Sequence, residues 1–253
     1  MNSAIESSPW LAFRRANPQA RLRLFCFPFA GGGASGYRIW SNELPAGVEV
    51  CPVQLPGRES RLREAAFTHA AHLAEAVAAA ILPLLDKPFC FFGHSMGAVV
   101  SFELARELRR RYGLQPSQLF VSGRRPPHLP DPPIYNLPHD EFLAELQRLD
   151  GTPKEALAST ELMEMMIPTL RADCQVCDTY VPAEEPPFSF PISAYGGLSD
   201  TEASRDDLQQ WQQHTTGPSL VRMFPGGHFF LQSAQPMVLQ TLARELHLLV
   251  QRV

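Results

Sequence analysis

Apolar positions along the chain fall into two periods. Short runs with few charges recur at residues 22–27, 48–53, 88–92, 118–122, 191–195 and 220–224, and uninterrupted runs of this length read as strands buried on both faces. Between them lie stretches with apolar residues at helical spacing: 68–85, 98–112 closing on Gly113, and 237–250. Strands that alternate with helices imply a mostly parallel central sheet, right-handed crossovers and flanking helices, an α/β architecture.

The alternation breaks between residues 125 and 187. Residues 125–138 (RPPHLPDPPIYNLP) are rich in proline and predict irregular chain, whereas 140–149 and 160–180 carry helical patterns apart from Pro168. The expected organisation is one domain: residues 1–124 form the first part of the core, 125–187 an inserted helical segment, and 188–253 the second part. No internal repeat or heptad pattern is present in the sequence.

A chain of 253 residues, 45% hydrophobic and 19% charged, suits one sizeable globular domain. With 22 basic against 26 acidic side chains the formal charge is −4, so no general positive field exists to hold a nucleic acid. No stretch approaches the roughly 20 apolar residues that span a bilayer, and residues 1–15 lack the apolar core of a secretory signal. These features predict a cytoplasmic monomer that binds neither nucleic acid nor membrane. Cys26, Cys51 and Cys90 lie in apolar runs, where a thiol behaves as a small hydrophobe. Cys174 and Cys177 have the spacing of half a zinc site, but no second pair accompanies them. Structural free cysteines, no metal and no cofactor are expected.

Gly93-His94-Ser95-Met96-Gly97 matches G-x-S-x-G, with a strand-like run before it and an amphipathic helix after it. The motif needs that context, because the glycines allow the sharp turn that lifts a serine hydroxyl above the sheet edge. Ser95 is the expected nucleophile. A serine hydroxyl is weakly nucleophilic alone, so a histidine base and an orienting acid should follow in the order Ser, Asp/Glu, His. His228, in Gly226-Gly227-His228, follows the last strand-like run and precedes the last helix; of the eight histidines only it has that setting. His214 and His247 read as surface groups, His69 and His72 sit on an early helix, and the turn should direct the His94 side chain away from the serine.

Asp200 follows the run at 191–195 and is the expected acid. Asp206 and Asp207 are its rivals, although they read as a solvated pair inside the next helix. The strand after the serine helix leads to Gly123-Arg124-Arg125, with no carboxylate before Asp131. Oxyanion donors are expected from the Met96 N–H and from the glycine-rich loop Phe29-Ala30-Gly31-Gly32, at Ala30. That loop lacks the lysine-bearing signature of a phosphate loop.

Taken together, Phe27-Pro28-Phe29-Ala30-Gly31-Gly32, Gln54-Leu55-Pro56-Gly57-Arg58-Glu59, Phe92 to Ala98, Gly196 to Asp200 and Pro225 to Leu231 resemble the stand-alone type II thioesterases that accompany nonribosomal peptide and polyketide synthases. The resemblance covers nearly the whole chain, and no motif position departs from it. It implies an α/β-hydrolase fold with a helical lid, and hydrolysis of acyl groups from the phosphopantetheine thiol of acyl or peptidyl carrier domains. The family's triad falls on Ser95, Asp200 and His228, and its oxyanion amides on Ala30 and Met96. Met163, Met165, Met166 and Ile167 could line an acyl pocket or simply pack the lid. A small-molecule esterase or lipase, a chain-releasing thioesterase domain and a silent hydrolase-fold binding protein are the alternatives; the methionine start and the lack of an upstream carrier-like motif favour a discrete protein. Arg58, Arg61, Arg63, Arg124 and Arg125 are candidates for a carrier-facing surface, or else are solvated or paired within the protein.

Overall fold

Six parallel strands form one sheet in the computed structural model, which describes residues 8–129, 131–149 and 159–252. Residues 1–7, 130, 150–158 and 253, in the amino-terminal stretch, the 125–187 segment and the carboxyl end, lie outside the described residues. The strands are β1 (Leu22–Phe27), β2 (Val48–Pro52), β3 (Phe89–His94), β4 (Gln118–Ser122), β5 (Ile192–Gly197) and β6 (Ser219–Phe224), in the spatial order β2-β1-β3-β4-β5-β6. The helices are α1 (Trp40–Glu43), α2 (Ala70–Ile81), α3 (Met96–Tyr112), α4 (His139–Leu149), α5 (Thr160–Asp178), α6 (Arg205–Gln209), α7 (Phe230–Ser233) and α8 (Gln235–Arg252).

The uninterrupted apolar runs have a direct cause. Side chains alternate across a strand, so Phe25 and Phe27 join Phe91, Val121 and Ala194 under α2 and α3, while Leu22, Leu24 and Cys26 join Val50, Phe92 and Tyr195 under α1, α7 and α8. Both faces of the central strands are dry. Helix α3 is buried from Met96 to Leu108 and ends at Gly113 in a left-handed cap.

Between β4 and β5 the chain builds a small core of its own, with Phe142 and Leu146 of α4 against Met163, Leu170 and Cys174 of α5. Met166 and Ile167 pack against it and Met165 points to solvent, so three of the four apolar candidates there serve helix packing. Helix α5 runs straight through Pro168, where the sequence suggested an interruption. Pro168 and Glu164 both lie on its exposed side, so the carbonyl that loses its partner meets water. Asp178 accepts the Ile134 and Tyr135 N–H groups at 2.8 and 3.0 Å. At the far end of the segment Glu185 pairs with Arg106, Arg109 and Arg110 of α3 at 2.6–2.9 Å.

Candidate active site

The register of the sheet brings the chemistry to one edge. His94 of β3 is level with Ser122 of β4, and Ser122 with Tyr195 of β5, while Gly197 is level with Phe224 of β6. The loops that leave these carboxyl ends therefore start side by side. A Cβ on Gly197 would lie 2.6 Å from the Gly226 carbonyl oxygen, and the Ser199 N–H donates to that oxygen at 2.9 Å. Such close backbone contact carries Asp200 beside His228.

Ser95 sits between β3 and α3 with φ 53° and ψ −114°, a backbone region that costs a side-chain-bearing residue about 1–3 kcal/mol. Its N–H donates to the Ser122 carbonyl at 2.8 Å, which locks the turn to β4. The Ser95 hydroxyl lies 3.0 Å from His228 Nε2, and His228 Nδ1 lies 3.1 and 3.3 Å from the two Asp200 carboxylate oxygens. The Asp200 side chain is sealed from solvent and one of its oxygens accepts the Glu202 N–H at 2.8 Å. A carboxylate so placed fixes the imidazole with Nδ1 protonated and Nε2 facing the serine as acceptor. The rival acids are elsewhere: Asp207 closes a capping box with Ser204 at the start of α6, Asp206 is exposed, and Asp131 pairs with Arg124 and Arg125.

Met96 begins α3, where the helix dipole favours negative charge, and its N–H has no protein acceptor among the described residues; the same holds for Ala30. The loop after β1 passes close by, since a Cβ on Gly97 would lie 2.8 Å from the Pro28 carbonyl oxygen. Two free amides thus belong to the loop and turn that adjoin the serine.

One of the histidine placements differs from the sequence reading. The His94 ring does not face the serine, in line with the sequence reading; it packs 5.4 Å from the His228 ring, boxed by Phe29, Phe229 and Phe230. Its Nδ1 pairs with the Ser122 hydroxyl at 2.9 Å. Burial, with the His228 ring as a lesser cause, holds it well below the usual imidazole range, which keeps it neutral. Gly123 makes room for the His94 ring: a Cβ there would lie 2.7 Å from it. His214, expected as a surface group, is half-buried. It packs on Phe102 and Trp211 and pairs with His128 at 2.9 Å.

The arginines are mostly spoken for. Arg58 and Arg61 are buried, paired with Asp173 and Glu64, and Arg124 and Arg125 share Asp131 at 2.9 and 3.1 Å. Among these five only Arg63 is exposed. Nothing local in the sequence signals the Arg58–Asp173 pair, whose members stand 115 positions apart. Burial leaves Cys26, Cys51, Cys90 and Cys174 as free thiols in the interior, with Cys177 half-buried.

A polar groove of about 590 Å³ opens on His228, lined also by Arg148, Thr201, Phe229 and Gln232. A second groove of about 680 Å³, mainly apolar, lies between α8 and the Glu43–Pro45 turn and contains none of the site residues.

A serine, an imidazole and a carboxylate in hydrogen-bonded series, beside two unpaired amides, can carry out acyl transfer. The thioesterase-domain family model matches residues 22–246. This chain belongs to the thioesterase family. The thioesterase is thus a serine hydrolase of the α/β-hydrolase fold. RedJ, a thioesterase from the prodiginine biosynthetic pathway of Streptomyces coelicolor, matches it with a TM-score of 0.85 at 38% identity over 91% of this chain and 95% of RedJ. Gramicidin S biosynthesis protein GrsT of Aneurinibacillus migulanus is 42% identical over 243 residues, 95% of each chain. Linear gramicidin dehydrogenase LgrE of Brevibacillus parabrevis is 44% identical over 240 residues, 93% of this chain and 91% of that one. The name of LgrE describes redox chemistry, and Gly31, Gly33 and Gly36 here do fall at dinucleotide-fingerprint spacing. In this chain, however, the Glu59 carboxylate lies against the loop at Gly33 and accepts the Ser35 N–H at 3.4 Å, and a negative side chain there repels a phosphate.

Proposed function

We propose that this thioesterase hydrolyses acyl thioesters on the phosphopantetheine arms of carrier domains in nonribosomal peptide or polyketide synthases. It does so without a cofactor, as a cytoplasmic monomer whose 125–187 segment covers the site as a lid. The observation that carries the reading is the unbroken series from the Ser95 hydroxyl through His228 to the buried Asp200, at 3.0 and 3.1 Å. The biosynthetic relatives GrsT and RedJ support the choice of substrate.

In this reading the Ser95 oxygen attacks the thioester carbonyl while its proton passes to His228 Nε2. The carbonyl oxygen becomes an oxyanion and accepts the Ala30 and Met96 N–H groups. Collapse breaks the carbon–sulfur bond, and the thiolate leaves with the proton from His228. Water then gives its proton to His228, attacks the acyl-serine, and releases the acid as Ser95 recovers its hydrogen. Asp200 stabilises the imidazolium in both halves without itself taking a proton.

The test compares an acyl group on a carrier domain with the same acyl group as an oxygen ester. Faster turnover of the carrier thioester supports the proposal. Equal turnover of the two would instead make the enzyme a small-molecule esterase.

A further inference from the structure

The peptide that carries the Ala30 N–H is held from two sides. Its carbonyl, that of Phe29, accepts the Gly32 N–H at 2.9 Å. In a trans peptide the carbonyl and the N–H point in opposite directions, so this bond also sets where the Ala30 N–H aims. The next peptide is held from outside the loop: the Gly31 N–H donates to Asp173 Oδ2 at 2.7 Å. Gly31 has φ +76°, a region that favours glycine, and a Cβ there would lie 2.6 Å from Leu170. Leu170 and Asp173 both belong to α5.

Asp173 is itself held. Both its oxygens take the Arg58 fork, at 2.6 and 2.8 Å, and the two side chains are 3% and 6% exposed. Arg58 also donates to the Pro56 carbonyl at 3.0 and 3.1 Å and reaches the Gly32 carbonyl at 3.4 Å. Thr169, one turn earlier on α5, donates to the Gly57 carbonyl at 2.9 Å. The glycine-rich loop, the loop after β2 and helix α5 therefore meet at one buried carboxylate. A bidentate, charge-assisted contact of this kind fixes orientation as well as distance.

We propose that Asp173, held by Arg58, is a positioning residue that keeps the Ala30 amide aimed at the oxyanion, so that the donor pair is complete only while α5 is seated on the loop. This rests on the reading of Ala30 and Met96 as the oxyanion donors. Asp173 touches no reacting atom, and its effect passes through the Gly31 peptide. Losing its carboxylate frees that peptide to rotate, which weakens transition-state binding more than substrate binding.

The experiment uses the full chain, a short soluble acyl thioester, and active-site titration with a fluorophosphonate so that every rate is expressed per competent site. Asp173→Ala should lower kcat about 10²-fold, the order expected for one misplaced oxyanion donor, with KM little changed. Affinity for a trifluoromethyl ketone analogue, whose adduct with Ser95 presents an oxyanion, should fall by a similar factor. Asp173→Asn keeps an acceptor for the Gly31 N–H and should lose less. If Asp173→Ala does not fold, Asp173→Asn and Arg58→Lys carry the test, each with a partial loss of kcat per site and a matching loss of ketone affinity. Variants with fewer titratable sites or a lower Tm, but wild-type kcat and ketone affinity per site, would reduce Asp173 to a structural role and overturn the proposal. Failure of the wild-type enzyme to react with the fluorophosphonate would instead strike at the Ser95 assignment.

Discussion

Gly93 and Gly97 touch across the turn that carries Ser95. A Cβ on Gly93 would overlap the Gly97 carbonyl and come within 2.5 Å of the Ala98 nitrogen. Neither side can yield, because Gly93 belongs to β3 and the Gly97 carbonyl to the buried start of α3. Gly93→Ala should therefore cost at least the ~1–3 kcal/mol of an overpacked core. Urea denaturation measures this, and a variant as stable as wild type would show that the turn is not confined in this way.

Ser95 bears a side chain at φ 53°, a conformation that glycine adopts more readily. Ser95→Ala should lose turnover by several orders of magnitude and keep the strain. Ser95→Gly should be equally inactive yet more stable, by about 1 kcal/mol or more. Intact-mass spectrometry after fluorophosphonate treatment checks the first part: an adduct on either variant places the nucleophile elsewhere. Thermal unfolding of the pair checks the second.

Asp200 and Asp207 stand close in sequence and do different work. Asp200→Asn favours the wrong imidazole tautomer and should lower kcat by roughly 10³ to 10⁴. Asp207→Asn weakens the capping box at Ser204, at a cost of about 1 kcal/mol in stability, with kcat preserved. Steady-state kinetics with a soluble acyl thioester separates the two, and a reversed order of effects would move the acid to α6.

Arg124 lies 2.9 Å from Asp131, which also serves Arg125. Charge reversal in Arg124→Glu would set two carboxylates together and loosen the start of the 125–187 segment. The expected result is the same fractional loss on a carrier-bound acyl group and on a short soluble thioester. Arg63→Glu changes an exposed group and should slow only the carrier-bound reaction, most at low salt. Selective loss in the Arg124 variant would reverse these roles.

Burial, aided by His128 and Arg106, holds His214 down to about 4 against an ordinary 6.5. Between those values the unfolded chain takes up a proton that the folded protein refuses, so stability falls as pH drops from about 6.5 toward 4 and is unaffected by this group above that window. His94 acts in the same direction. Urea midpoints measured from pH 7 to 4.5 should decline, and His214→Gln should flatten part of the decline. An unchanged slope in that variant would mean that His214 takes up its proton without resistance in the folded state.

Much of this enzyme is legible in its sequence because the responsible physics is local. A strand dry on both faces must be apolar at most positions, and a serine on a strand-to-helix turn needs glycines beside it, so β3, the turn at Ser95 and α3 can be read from neighbouring residues alone. Asp200 and His228 can be read the same way, as polar residues just past strand-like runs, since loops at one sheet edge converge whatever their distance in sequence. Tertiary structure alone decided the rest. That Arg58 is a buried clamp on Asp173 rather than a surface charge, that His214 is half-buried against Phe102 and Trp211, and that His94 lies under His228 all depend on contacts between segments far apart in the chain. An arginine or histidine codes for a partner only by chemistry, and the partner is chosen when the chain packs: burying the guanidinium of Arg58 is costly unless a carboxylate meets it, and α5 is what brings Asp173 there.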